Sequence, residues 1–289
     1  PDMSQHEHSP GAPAAIRAMK SSDHNLATVL AALDEPQRRS STNIFVVSDH
    51  GFSTIERRIK LPKILAEAGF NVHTELGSDA QPGEIVLVGA GGSVLFYVVE
   101  HEPATIRRLV EFLQQSEFAG VLFTRDAMEG TFTLSQGQID SPDAPDLVMA
   151  FRWNDQPNEY GIRGRIYADW KRGANMGTHA TLSRFDMRNT LVAAGPDIHK
   201  GKVNDLPTGN VDLAPTILEI LQVKPLPKMD GRILTEALVN GSAPAKPETQ
   251  TLHASREFPN GKWHQYLQTS RVGTTVYLDE GNGGFEAGK

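Results

Sequence analysis

The chain has no cysteine. Disulfides and thiolate zinc sites are therefore excluded, and any metal must be held by His, Asp, Glu or main-chain oxygen. The lack is compatible with cytoplasm and periplasm alike. No apolar run approaches the ~20 residues needed to cross a bilayer. Lys and Arg number 28 against 35 Asp and Glu, a formal net charge of −7. The basic residues form no stripe, so there is no nucleic-acid-binding patch to argue from. What remains is 289 residues, 39% hydrophobic and 22% charged. That is ordinary for a globular protein of one large or two smaller domains. The first residue is Pro1, not Met. A preceding segment of the same protein is expected, and a signal for export to the periplasm or beyond would lie in it.

Periodicity divides the chain. "PDMSQHEHSPGAP" opens as a Pro- and His-rich loop. "AAIRAMKSSDHNLATVLAALDE" has helical apolar spacing, with a cap expected at Ser22 or Asp23. "NIFVVS" is a short β-branched run, and "RIKLPKILAEAGF" a helix closed by Gly69. This alternation predicts a parallel sheet. Residues 71–174 differ. Strand-like "EIVLVGAGGSVLFYVVE", amphipathic "PATIRRLVEFLQQSEF" and the strands "GVLFTRD", "GTFTLSQ" and "DLVMAFRW" make an α+β insertion. Asp143 and Asp146 shape the turn before the last of these. The α/β character returns in "NTLVAAGPDI" and "NVDLAPTILEILQV", with Pro225 and Pro227 as stops. The expected organisation is an α/β core from residues 1–70 and 175–235, the insertion 71–174, and a C-terminal extension 236–289 ending in a hairpin or extra strands. The fold class is α/β, a largely parallel sheet with helices on both faces.

Three groups of residues carry chemistry. Asp2 and His6 are four apart, a spacing at which both can reach one ion from a helical turn or a tight loop. Asp49 and His50 stand where the strand "NIFVVS" gives way to glycine. The carboxyl edge of a parallel sheet is where α/β proteins place their chemistry. His179 follows the Gly-rich approach "GANMGT". His8 reads as a loop residue, and the other six histidines as surface or hydrogen-bonding groups.

Taken together, these groups resemble the alkaline phosphatase superfamily, and within it bacterial type I phosphodiesterase/nucleotide pyrophosphatase proteins. "PDMSQHEHSPG", "NIFVVSDHGF", "GTHATLS", "VDLAPTILEIL" and "MDGRIL" carry the likeness. It implies a site for two divalent ions, usually Zn2+. Asp2, His6 and His179 would hold one ion; Asp49 and His50 would share the other with an upstream Asp. Two cations ~4 Å apart can stabilise both the attacking and the leaving oxygen of a phosphoryl displacement. The expected substrate is a small phosphate ester. The family's Thr or Ser nucleophile is expected upstream of Pro1. His179 is followed by Ala180 where the family usually has Gly. A phosphomonoesterase, a phosphonate hydrolase or a sulfatase of the same superfamily are the alternatives, as is a non-catalytic metal-binding relative. His50 disfavours the sulfatase, because such enzymes pair that Asp with Asn and take calcium on oxygen ligands.

Overall fold

The opening segment is not the expected loop but a helix, α1 (Asp2–His8), with Asp2 in its first turn and His6 and His8 in its last. The placement of Asp2 suits the helix dipole. The computed structural model describes residues 1–75, 77–139, 141–224 and 228–288. Pro225 and Pro227, expected to stop a helix, lie outside the described residues. Helix α2 (Pro13–Ala31) starts on a proline, which suits the first turn because that N–H has no helical partner. It runs through Ser22 and Asp23 without the break expected there.

Helix α3 (Pro36–Arg39) is one turn. Strand β1 (Ile44–Val47) follows, then β2 (Ser53–Ile55) and helix α4 (Leu61–Glu67). Gly69, at φ 82°, turns the chain away after α4 as expected.

Next comes a run of strands around one helix. These are β3 (Val72–His73), β4 (Ile85–Gly89), β5 (Ser93–Val98), helix α5 (Pro103–Gln114), β6 (Ala119–Thr124), β7 (Phe132–Thr133) and β8 (Leu147–Phe151). They form a six-stranded sheet in the order β3-β4-β5-β8-β6-β7. Helix α5 is capped by Glu102, which accepts from the amides of Ala104 and Thr105. Its fully buried Leu109, Val110 and Leu113 belong to one cluster with Ile85, Phe96 and Met149 of the sheet. Burying each such leucine contributes about 1.5–3 kcal/mol.

Strands β9 (Trp153–Pro157), β10 (Arg163–Ile166) and β11 (Gly177–Thr178) join β2 in a second sheet, ordered β11-β2-β10-β9. Helix α6 (Arg184–Met187), strand β12 (Leu191–Ala194) and helix α7 (Leu213–Ile220) follow. The chain closes in an antiparallel meander of β13 (Glu248–Phe258), β14 (Gly261–Val272) and β15 (Thr275–Ala287). The meander packs against β6, where the Gln265 side chain accepts from the Leu122 amide and donates to the Leu122 carbonyl. Leu267 clusters with Val121 and Phe123 of β6, and Trp263 is fully buried. This explains why every residue of β6 is buried.

The expectation of a largely parallel sheet is corrected. The chain is mixed α/β, and among the described residues only three strand pairs, β2–β10, β3–β4 and β6–β7, are parallel, with one isolated parallel bridge between Arg58 and Asp169. Strand β1 does share a sheet with the 190–194 segment, but β12 runs antiparallel to it, with Val47 opposite Leu191. An apolar run marks a strand; its direction is set by the route of the connecting chain, which local pattern does not encode.

Candidate metal centre

Three segments far apart in sequence meet at one place. Helical spacing puts Asp2 and His6 on one face of α1, with Asp2 Oδ1 3.6 Å from His6 Nε2. His6 is buried, and its Nδ1 lies 2.9 Å from the carbonyl of Gly177 in β11. A carbonyl can only accept, so Nδ1 carries the proton and Nε2 keeps its lone pair. Gly177 is required here: a Cβ at this position would stand 2.2 Å from the Gln5 carbonyl. Helix α1 could not approach β11 past a side chain.

His179 follows β11 directly. Its carbonyl accepts from the Gly92 amide at 2.6 Å. Burial, followed by the His50 and His6 rings beside it, pushes its imidazole down to about 4. Ligand atoms of Asp2, His6 and His179 all lie within 4.8 Å of one another. Among the described residues this is the one set of three His, Asp or Glu side chains so disposed.

His50 and Asp49 stand at the rim of this set. His50 Nδ1 is 2.9 Å from the Gly51 carbonyl, which fixes its tautomer as Gly177 fixes that of His6. His50 Nε2 is 3.5 Å from Asp49 Oδ2 and 3.7 Å from Asp2 Oδ1. The His50 and His179 rings are stacked with centroids 3.5 Å apart. The Asp49 carboxylate is mostly exposed.

The donor set suits a divalent cation. The free nitrogens of His6 and His50 face carboxylate oxygens, lone pair toward lone pair. Such a contact is unfavourable until a positive charge lies between the two. A neutral His179 adds a third nitrogen able to donate to a metal.

Groups that carry no expectation in the sequence hold these side chains in place. Phe52 presents itself to three imidazoles, with centroids 5.0 Å from His6, 5.2 Å from His50 and 5.4 Å from His179. Buried Asp186 accepts from the Ser53 hydroxyl at 2.6 Å and from both the hydroxyl and the amide of Thr181, and its own carbonyl accepts from the Gly51 amide. Burial pushes its carboxyl above the usual range against those donors. A Cβ on Gly51 would lie 2.0 Å from the Phe185 carbonyl, so the 49–53 loop can lie this close to α6 only with glycine. Asn189 and Asn210 each donate to the main-chain carbonyls of Ser48 and Asp49. No local pattern announces these residues, because each acts across more than 100 positions. A run of small polar residues, "THATLSRFD", is the only trace that the Asp186 network leaves.

The family model for type I phosphodiesterase / nucleotide pyrophosphatase matches residues 1–165. That is more than half of the 289 residues. The chain belongs to the type I phosphodiesterase/nucleotide pyrophosphatase family. This is a family of the alkaline phosphatase superfamily. No curated protein matches the chain. The matched span contains Asp2, His6, Asp49 and His50. His179 lies beyond it, and the fold brings it to the same cluster. Membership indicates a phosphoester hydrolase of the phosphodiesterase/nucleotide pyrophosphatase type. Metal dependence is typical of the family.

Proposed function

We propose that the protein is a metal-dependent hydrolase of small phosphodiesters or nucleotide pyrophosphates, and that Asp2, His6 and His179 hold one divalent ion while Asp49 and His50 contribute to a second. The observation that carries this reading is the Asp2–His6–His179 cluster, in which Gly177 leaves the His6 Nε2 lone pair free toward the site. Two imidazoles and a carboxylate favour zinc or a similar transition ion over calcium. When bound, such ions supply positive charge to the oxygens of a phosphoryl group in flight.

The residues of the chain have separate tasks. Asp2, shared between the two histidines at 3.6 and 3.7 Å, would compensate charge at both positions. Burial keeps His179 neutral and therefore able to donate to a metal. Phe52 packs edge-to-face against the three rings and helps to orient them.

The test is elemental analysis after zinc loading and dialysis, combined with zinc-dependent binding of a phosphodiester analogue. Zinc should be retained by the wild-type chain. His6→Ala and His179→Ala should each lower the retained metal, and chelation should abolish analogue binding. Metal content unchanged in both variants would overturn the ligand assignment. Analogue binding that survives chelation would overturn the metal-dependent reading.

A further inference from the structure

A second concave site lies at the far end of β5 from the metal centre. At its start, Gly92 donates to the His179 carbonyl. At its end, the Val98 amide donates to Asp146 Oδ2 at 2.7 Å. Six residues at ~3.3 Å each put the two places ~20 Å apart. Beside Asp146 opens a cavity of about 280 Å³ between the first turns of α5 and the 124–128 loop.

Its polar floor is a His–Asp pair. His101 Nδ1 donates to Asp146 Oδ1 at 2.6 Å, and Asp146 is 1% exposed. The pairing is reached through unusual backbone: Glu100 and His101, both with side chains, sit at φ 57° and 52°. Two successive left-handed residues cost about 1–3 kcal/mol each and persist only where surrounding contacts hold them. Here that strain turns the His101 ring onto Asp146 and leaves Nε2 as the ring's free nitrogen.

Two guanidinium groups complete the site. Arg125 is fixed by donation to the Ala144 carbonyl and by its own amide, which donates to the Asp146 carbonyl. Its Nε–H is buried with no hydrogen-bond partner, 3.7 Å from Asp146 Oδ1. The guanidinium is thus paired with Asp146 by charge but not by a hydrogen bond. Arg107 also lines the cavity, with no hydrogen bond or ion pair among the described residues. Ile106 and Met128 supply an apolar wall. Against Asp126 and Asp146 the two arginines leave the lining formally neutral, so a ligand head would be held by local guanidinium donors and not by a net field, which fits one anionic head group and not a polyphosphate.

We propose that this cavity binds a small amphipathic oxyanion, a carboxylate or phosphoryl head on an apolar body, with Arg107 and Arg125 holding the head and Ile106 and Met128 the body. None of the residues that line this cavity belongs to the metal cluster.

Calorimetric titration of the full chain tests it, using benzoate, phenylphosphonate and inorganic phosphate as probes. Each titration is repeated in His6→Ala, where the metal cluster is weakened, and in Arg107→Ala and Arg125→Gln. Binding of benzoate or phenylphosphonate is expected in the wild type and in His6→Ala. It should fall about tenfold or more in Arg107→Ala, since a charge-assisted contact is lost. A preference for benzoate assigns a carboxylate ligand, and a preference for phenylphosphonate a phosphoryl one. Inorganic phosphate, without the apolar body, should bind more weakly than phenylphosphonate. Arg107 makes no hydrogen bond or ion pair among the described residues and acts on Glu102 only through longer-range attraction, so its variant should keep a melting temperature close to the wild type and remain interpretable if Arg125→Gln does not fold. Affinity unchanged in Arg107→Ala, affinity lost in His6→Ala, or no heat from any probe up to ~10 mM would each defeat the proposal.

Discussion

The imidazole of His50 lies flat on that of His179, planes 16° apart and centroids at 3.5 Å. Two rings in such contact cannot both be charged without strong repulsion. Burial adds to this at His179, whose imidazole is held down at about 4. A histidine depressed in the folded state binds fewer protons there than when unfolded. Stability is therefore present above the ordinary value near 6.5 and lost as pH falls toward 4. Urea unfolding of metal-free protein should show this fall between pH 6.5 and pH 4.5, and His179→Gln should flatten it. A slope unchanged in His179→Gln would refute the assignment.

Asn210 and Asn189 hold the Ser48 and Asp49 carbonyls at 2.9–3.4 Å. Both side chains reach the loop from outside the ligand set. Replacing either with Ala should cost about 1 kcal/mol of stability. Its larger effect should fall on the metal, with affinity down roughly 10–100-fold, as when an outer-shell partner is lost. Zinc titration with a competing chelator measures both variants. Full affinity in the double variant would show that the loop holds its shape alone.

Ala180 occupies φ 70°, a region that L-residues with a Cβ enter at a cost of roughly 1–2 kcal/mol. The family's usual glycine at this position meets that conformation without strain. Ala180→Gly should therefore stabilise the chain. The gain should be about 0.5–1 kcal/mol, since glycine also loses more entropy on folding. Chemical denaturation reads the sign directly, and destabilisation would show that the strain is relieved elsewhere.

Tyr277 joins the final meander to the α7 region. Its hydroxyl donates to buried Asp212 at 2.9 Å and accepts from Arg232 Nε at 3.0 Å. Burial and the Asp212 carboxylate push the phenol above the ordinary tyrosine range. The folded state thus keeps this proton longer than the unfolded state, so stability falls as pH rises above ~10. Tyr277→Phe should lose about 1–2 kcal/mol at neutral pH and part of that alkaline slope. Melting curves at pH 7 and pH 10.5 compare the two.

What the sequence could disclose follows the range over which each feature acts. The four-residue step from Asp2 to His6 is local, so it was legible; that the step is helical was not, since a tight loop fits the same spacing. Gly69 and Pro103 mark helix ends by their own backbone limits, and both stand where expected. The direction of β12 against β1, and the anchoring of Ser53 by Asp186 across 133 positions, depend on the path of the whole chain. Phe52 was hidden for a related reason: next to glycine in a loop, an aromatic carries no period that would tell which ring it touches.

The pairing of Val47 with Leu191 also has a kinetic meaning. To close a loop of that span from a disordered chain costs roughly 4 kcal/mol in entropy, whereas β4 and β5 are joined by a short turn. Local hairpins close early, and the long return of the chain to β1 comes after them. The metal cluster needs a return of similar length, the pairing of β11 with β2 that brings His179 beside His6, and is thus among the last parts to assemble. Pulse-labelled hydrogen exchange during refolding should find the amides of β4 and β5 protected before those of β1. If the cluster holds an ion as proposed, newly made protein would acquire it only at the end of folding, which would spare the unfinished chain from metal bridges between the wrong histidines.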